Sequence, residues 1–327
     1  MNVRAAVSVL GFAMVLTTMV DARGAQAVAR YPNRPVRLVV PFAPGGTNDV
    51  IGRVVGEKLA ARLGQPFVVD NRAGANSVVG SEIVAGAAPD GQTLLIIAAG
   101  FAINPSLRRQ LPYDTLRDFA PIGLVGGGPY LMVVHPSVPA KTTKEFIAWA
   151  KSRQGQMNYA SVGVGSPPHL AAELLKLIAG IDLQHIPYKG GSAVLPDLIA
   201  GRVSMFFGSI STLQPHVKAG KLRAIAVTTA RRATAMPELP TFIESGLAGY
   251  EVNGWYGLLA PGKTSGAIVS RLNRELRDVL ADPDTQRRFL QRGIDPMPGT
   301  AQEFGALIRS EIAKWAKVIR AAGFKPE

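Results

Sequence analysis

The chain contains no cysteine. Disulfides, a lipid-modified cysteine and a thiol nucleophile are therefore excluded. Histidine is scarce: His135, His169, His185 and His216 are the whole set, and none stand at a short ligand spacing such as H-E-x-x-H. No zinc site is expected from them. His135 precedes Pro136 and His216 follows Pro215, so both read as turn residues. No G-x-S-x-G elbow occurs either, and no catalytic constellation or cofactor motif takes its place. Runs of basic residues are also missing, since Arg108-Arg109, Arg231-Arg232 and Arg287-Arg288 are the only adjacent pairs. Nucleic-acid binding would call for a basic stripe interleaved with aromatics. The formal net charge of +13 is thus a bulk property that raises the local concentration of small anions.

What is present starts with Met1-Asn2-Val3-Arg4, a basic opening, followed by the uncharged run Ala5 to Val20 and by Ala25-Gln26-Ala27. That order is a secretory signal with a small-x-small cleavage site. Sixteen uncharged residues fall short of the roughly 20 that span a bilayer. Cleavage near Ala27 would leave 300 residues, and the loss of Arg4, Arg23 and Asp21 takes the net charge from +13 to +12. No second long apolar run follows, so the mature protein is expected to be soluble in the periplasm. Its length favours two domains, each with its own core.

The most informative stretch is Leu38 to Leu63. An apolar strand, Leu38-Val39-Val40, enters the loop Pro41-Phe42-Ala43-Pro44-Gly45-Gly46-Thr47-Asn48-Asp49, which opens a helix. Thr47, Asn48 and Asp49 are all N-cap residue types. Val50, Ile51, Val54, Val55 and Leu59 form one buried stripe. Gly45 and Gly46 let a ligand approach the backbone, and the helix N-terminus favours an anion. A plain βα turn has the same pattern. Two further units repeat it. Tyr159-Ala160 leads to Ser161-Val162-Gly163-Val164-Gly165-Ser166 and then Pro167-Pro168, with Ser166 placed as N-cap of a helix bearing Leu170, Leu174, Leu177 and Ile178. His185-Ile186-Pro187-Tyr188 leads to Lys189-Gly190-Gly191-Ser192 and a helix through Ile199.

Between and after these units, strands and helices alternate. Phe67 to Val69, Thr93 to Ala98, Leu131 to Val134, Val203 to Phe207 and Leu222 to Val227 read as strands. Helices are predicted from about Val78, from the capping box Thr142-x-x-Glu145, over Ile268 to Leu280, and from Thr300-x-x-Glu303 to a stop at Gly323. This rhythm predicts an α/β fold of mostly parallel sheets flanked by helices. Ligands then sit at the carboxyl ends of strands, where the three glycine loops lie. One decoy must be weighed. Gly257 to Thr264 matches G-x-x-x-x-G-K-T literally, but Pro261 removes an N–H that a phosphate cradle needs, and no magnesium-binding acidic strand accompanies it. A strand-to-helix connection is the ordinary reading.

Several stretches, in order, cover almost all of the mature chain. They are Pro41–Asp49, Asn71–Ala75, Asn104-Pro105, Leu111–Asp114, Tyr159–Leu174, His185–Gly190, Gly220–Ala224, Pro240–Gly246 and Trp255–Pro261. In these the chain resembles the Bug-type substrate-binding proteins of tripartite tricarboxylate transporters. The resemblance implies a two-domain, type II periplasmic-binding-protein (Venus-flytrap) fold. It implies a monomeric, non-enzymatic receptor that holds a small carboxylate and hands it to integral membrane permease subunits. A sensor-kinase ectodomain is the alternative partner, and an exported carboxylate-acting enzyme the remaining alternative. By resemblance, Phe42, Ala43, Gly45, Gly46, Thr47, Asn48 and Asp49 hold one carboxylate, largely through main-chain N–H groups and water. Ser161, Gly163, Val164, Gly165, Ser166 and His169 line the opposite wall, with Lys189 nearby; His169 could equally be a packing residue, and Asp49 an organiser of its loop. Relatives carry a glycine pair where this chain has Asn76-Ser77, and often Asp or Asn near Gly208, so Ser77 and Gly208 fall at the specificity end. The expected domains are 28–126 with 252–327, and 127–251. Trp255 and Tyr256 are expected at the crossover between them.

Overall fold

The computed structural model describes residues 31–188 and 191–324. The expected signal peptide at 1–27 and the nominated Lys189 lie outside the described residues. The first series of elements is β1 (Val36–Val40), α1 (Thr47–Leu63), β2 (Phe67–Asn71), α2 (Val78–Ala85), β3 (Thr93–Ala98), α3 (Gly100–Leu107) and β4 (Phe119–Val134). The second is α4 (Thr143–Ser152), β5 (Asn158–Ser161), α5 (Pro167–Ala179), β6 (Gln184–Pro187), α6 (Gly191–Ile199), β7 (Met205–Ser209), α7 (Ile210–Lys218) and β8 (Arg223–Val227). The chain then returns through β9 (Asn253–Pro261), α8 (Gly266–Ala281), α9 (Pro283–Leu290), β10 (Asp295–Pro296) and α10 (Ala301–Ala321).

The strands follow the order β2-β1-β3-β9-β4-β7-β5-β6, with β8 and β10 also paired to β4. Pairing is parallel within β2-β1-β3 and within β7-β5-β6, and antiparallel at β9 and β4. Strand β4 belongs to both halves. Its residues through Pro129 pair with β9, and from Tyr130 onward they pair with β7. The reading of a strand beginning at Leu131 is therefore corrected: the strand starts at Phe119. Gly126-Gly127-Gly128-Pro129 hid it, because neither glycine nor proline favours a strand interior. Here glycine is needed for close approach, since a Cβ at Gly127 would lie 2.6 Å from the Gly254 carbonyl oxygen.

Each half buries apolar side chains on both faces of its sheet. In the first, Ile51, Val54, Val55 and Leu59 of α1 pack on Leu38, Val40, Leu94 and Ile96, while Val39, Leu95 and Ile97 meet Phe101, Phe119 and Phe304 on the other face. Each such side chain contributes about 1.5–3 kcal/mol. In the second, Leu170 and Leu174 of α5 pack with Met132, Tyr159, Met205 and Phe207. Leu177 and Ile178, expected on that stripe, are instead 52% and 37% exposed. Helix α10 starts from a complete Thr300–Glu303 capping box. Its Phe304 and Ile308 join the first core, whereas Trp315, Val318 and Ile319 join the second. One helix thus fastens both halves. At α4 only half the expected box forms: Thr142 accepts from the Glu145 N–H, but Glu145 Oε2 accepts from the Lys141 N–H.

The G-x-x-x-x-G-K-T match is not a phosphate loop. Gly257 to Pro261 lie inside β9, and a Cβ at Gly257 would sit 1.9 Å from the Phe304 ring. His216, read as a turn residue, lies in the last turn of α7, which accommodates Pro215. Among the described residues no helix is long and apolar enough to cross a membrane.

Candidate functional site

The first glycine loop follows β1. Gly45 turns it with φ +82°, a left-handed conformation that glycine adopts without strain. The N-cap of α1 is Gly46, with no side-chain cap. Thr47, Asn48 and Asp49, expected as caps, are instead the first three helical residues, so their N–H groups have no intrahelical acceptor. Asp49 organises the loop from there. Its Oδ2 accepts from the Gly45 N–H at 2.9 Å and from Arg53 Nε at 3.0 Å, and its Oδ1 accepts from Asn71 Nδ2 at 3.0 Å. Asn71 Nδ2 also donates to the Phe42 carbonyl oxygen at 3.1 Å. The Arg53 guanidinium, assisted by the Gly45 N–H and Asn71, holds the buried Asp49 carboxyl below its ordinary range against the opposing effect of burial.

The second loop follows β5, with Gly163 and Gly165 at φ +129° and +71°. Ser166 is the N-cap as expected, but its Oγ makes no capping bond and donates to the Gly163 carbonyl oxygen at 2.7 Å. The buried Ser161 Oγ accepts from the Gly163 N–H at 3.1 Å and lies 2.7 Å from His185 Nε2. His169 Nδ1 accepts the Gly165 N–H at 2.9 Å, so this nitrogen carries no proton. Its ring stacks on His185 with centroids 3.7 Å apart. Burial, with smaller effects from His185 and Lys176, brings the His169 pKa down to about 3. His169 thus supports the loop from beneath. The loop also touches the first half, where a Cβ at Gly165 would be 2.0 Å from Leu107 Cδ1.

A third segment is strained. Ala75, Asn76 and Ser77 have φ of +47°, +52° and +75°. Left-handed backbone costs a non-glycine residue roughly 1–2 kcal/mol, less for Asn. Buried Asn104 holds the segment: it donates to the Asn76 carbonyl oxygen at 2.9 Å and accepts from Asn76 Nδ2 at 2.9 Å.

These segments surround a cavity of about 290 Å³. Phe42, Asn48, Asn76 and Gly100 supply one side, Val162, Pro167, Pro168, Gly208 and Ser209 the other, and Tyr130, Trp255 and Tyr256 of the crossover strands the floor. Burial pushes the Tyr256 hydroxyl up to about 12, with Thr47 beside it moderating the effect. Asn48 Oδ1 is buried without a hydrogen-bond partner among the described residues.

Of the nominated residues, Phe42, Asn48 and Gly208 line this cavity, and Thr47 borders an adjoining pocket of about 30 Å³. Ala43, Gly45 and Gly46 are exposed at the loop tip, as is Val164, and Gly163 is half-buried. Asp49, Ser161, Gly165, Ser166 and His169 are buried supports beneath the loops. Ser77 is buried beside Asn104, and its neighbour Asn76 reaches the cavity. Sequence reasoning missed Tyr130, Phe206 and Ser209 as wall residues. Tyr130 and Ser209 are opposed in the β4–β7 ladder, a non-local pairing that no single-segment pattern announces.

Comparison with known proteins then adds context. A family model described as tripartite tricarboxylate transporter family receptor matches residues 51–324. Protein BugT of Bordetella pertussis is 36% identical over 90% of this chain and 91% of its own. Among solved structures, Rpa4515 of R. palustris with adipate has TM-score 0.80 and 34% identity, covering 91% of this chain and 100% of that one. MatC (Rpa3494) from Rhodopseudomonas palustris with bound malate has TM-score 0.76 and 31% identity, covering 88% and 100%.

Proposed function

The chain belongs to the tripartite tricarboxylate transporter receptor family, and on that premise we propose that it is a periplasmic receptor for a small carboxylate. The signal sequence would export it. The solute would be captured between lobe 28–126 with 252–327 and lobe 127–251, then delivered to membrane permease subunits. One observation carries the reading: the loops after β1 and β5, one from each half, line the same cavity, the first through Phe42 and Asn48 and the second through Val162, Pro167 and Pro168. Asn48 stands in the first turn of α1, where N–H groups lack an intrahelical acceptor. Such a site favours an anion. Closure is a population shift in which a ligand touching both lobes stabilises the closed form. The neighbours' adipate and malate support a carboxylate as the ligand class. Catalysis has no part in this mechanism.

A thermal-shift screen of the exported protein against mono-, di- and tricarboxylates, amino acids and neutral solutes tests it. An acid present at about 100 times its dissociation constant should stabilise the fold by roughly 2.7 kcal/mol. Gly46→Phe is the control, because φ at Gly46 is −76° and the nearest atom to an added Cβ is 3.6 Å away. That variant should fold and lose the shift. Silence from every acid, with shifts from neutral or cationic solutes instead, would refute the reading.

A further inference from the structure

We propose that the cleft is shaped for a small monocarboxylate with an aromatic body, rather than for a solute with a second charged end. This rests on the carboxylate-receptor reading and narrows it. Three half-buried aromatic residues line the cavity, Phe42, Tyr130 and Tyr256, and the buried Phe206 and Trp255 also border it. Aromatic side chains favour an aromatic guest through offset or edge contacts as well as through apolar burial. At about 290 Å³ the cavity sits at the small end of the roughly 300–1,000 Å³ common for ligand sites, which suits a single ring.

Some of the polar side chains lining it are already committed, and the unpartnered Asn48 Oδ1 is an acceptor, which does not favour a carboxylate. Ser209 Oγ and Thr212 Oγ1 are 2.8 Å apart, and Asn76 Nδ2 donates to Asn104. Gly208 offers backbone only, since a Cβ there would lie 2.6 Å from Phe206 Cε1 and 2.8 Å from Leu213 Cδ1. A second carboxylate in such a place needs a paired cation or several donors to offset its lost hydration. Among the described residues, none lining the cavity is charged. Arg292 borders only the adjoining pocket of about 30 Å³, which holds about one water.

The test is isothermal titration of protein purified from the periplasm of an expressing host, with benzoate, cyclohexanecarboxylate, succinate, adipate, malate and citrate as probes. Benzoate should bind at least tenfold more tightly than any di- or tricarboxylate, and more tightly than its saturated counterpart. Phe42→Leu and Tyr256→Leu, which keep the wall apolar, should each weaken benzoate about fivefold or more, and Phe42→Leu should leave the melting temperature of the empty protein nearly unchanged. Adipate, malate or citrate binding as tightly as benzoate would overturn the inference and leave the receptor reading standing. So would full benzoate affinity in both ring variants. If no acid binds at all, the receptor reading falls and the inference with it.

Discussion

At the end of β1 an ionised carboxylate holds the glycine loop, and at the end of β5 a neutral imidazole does the same work. Asp49 gathers the Gly45 N–H, Arg53 and Asn71; His169 takes the Gly165 N–H while lying against His185. The first support stands beside an exposed arginine. The second is packed beneath its loop, where a Cβ at Gly165 would meet Leu107 of the opposite half. Two loops of the same strand–glycine–helix pattern therefore differ in what disturbs them. Loss of space should damage the second more, and acid should reach the second first.

The largest effect is expected from Gly165→Val. The position combines φ +71° with a Cβ that would be 2.0 Å from Leu107. Overpacking and left-handed strain together should cost about 3 kcal/mol or more. The equivalent change at Gly45, where φ is +82° but no atom lies within 4 Å of a Cβ, should cost about 1–2 kcal/mol. Urea unfolding of both variants measures the difference; equal losses would mean that Leu107 yields freely.

Acid comes next. The His169 pKa is depressed to about 3, and His185 is lowered as well, by burial first, with Glu173 opposing and Lys176 assisting. Both fold uncharged, so the unfolded chain takes up their protons first. Stability should be complete above pH 6.5 and fall as pH drops toward 3, at up to about 1.4 kcal/mol per unit from His169, with His185 adding in the same direction below its ordinary value. His169→Gln, which keeps an acceptor without a proton to gain, should flatten that slope measurably. Asp49 behaves oppositely. Its lowered pKa gives a contribution present above the ordinary carboxylate value and lost only as pH falls through the folded one. Asp49→Asn should therefore leave the slope between pH 6.5 and 4.5 intact while costing about 1 kcal/mol at pH 7. If instead it flattened that slope, the two loops would not be separable by charge.

The strand–loop–helix units are legible in the sequence because each is local: a β run, glycines, a capping residue and a 3.6-residue stripe sit within about 25 positions. Family resemblance carried the fold from them. What was illegible is non-local. Strand β4 hides behind three glycines and a proline whose role is to let strands and the Gly293 carbonyl approach closely. Helix α10 reads as one amphipathic stripe, yet its two ends serve different cores. The cavity wall joins Tyr130, Phe206 and Trp255, residues that a sequence pattern assigns to strand interiors.

The smallest effects test the third segment against the two loops. Ala75 and Asn76 share left-handed backbone, but only Asn76 has a compensating side chain, donating to the buried Asn104. At Ala75, glycine would remove a penalty of roughly 1–2 kcal/mol and add about 0.5–1 kcal/mol of unfolded-chain entropy. Ala75→Gly should thus stabilise by about 0.5 kcal/mol. At Asn76 the same substitution leaves Asn104 Oδ1 without its donor, a cost of about 1–3 kcal/mol for a buried acceptor. Asn76→Gly should therefore destabilise by about 1 kcal/mol despite relieving the same strain. Opposite signs at adjacent residues, read from paired urea titrations, would show that this strain is held for the side chain that meets the cavity. Two stabilising changes would show that the Asn76–Asn104 pair contributes nothing, leaving the segment as unrelieved backbone strain.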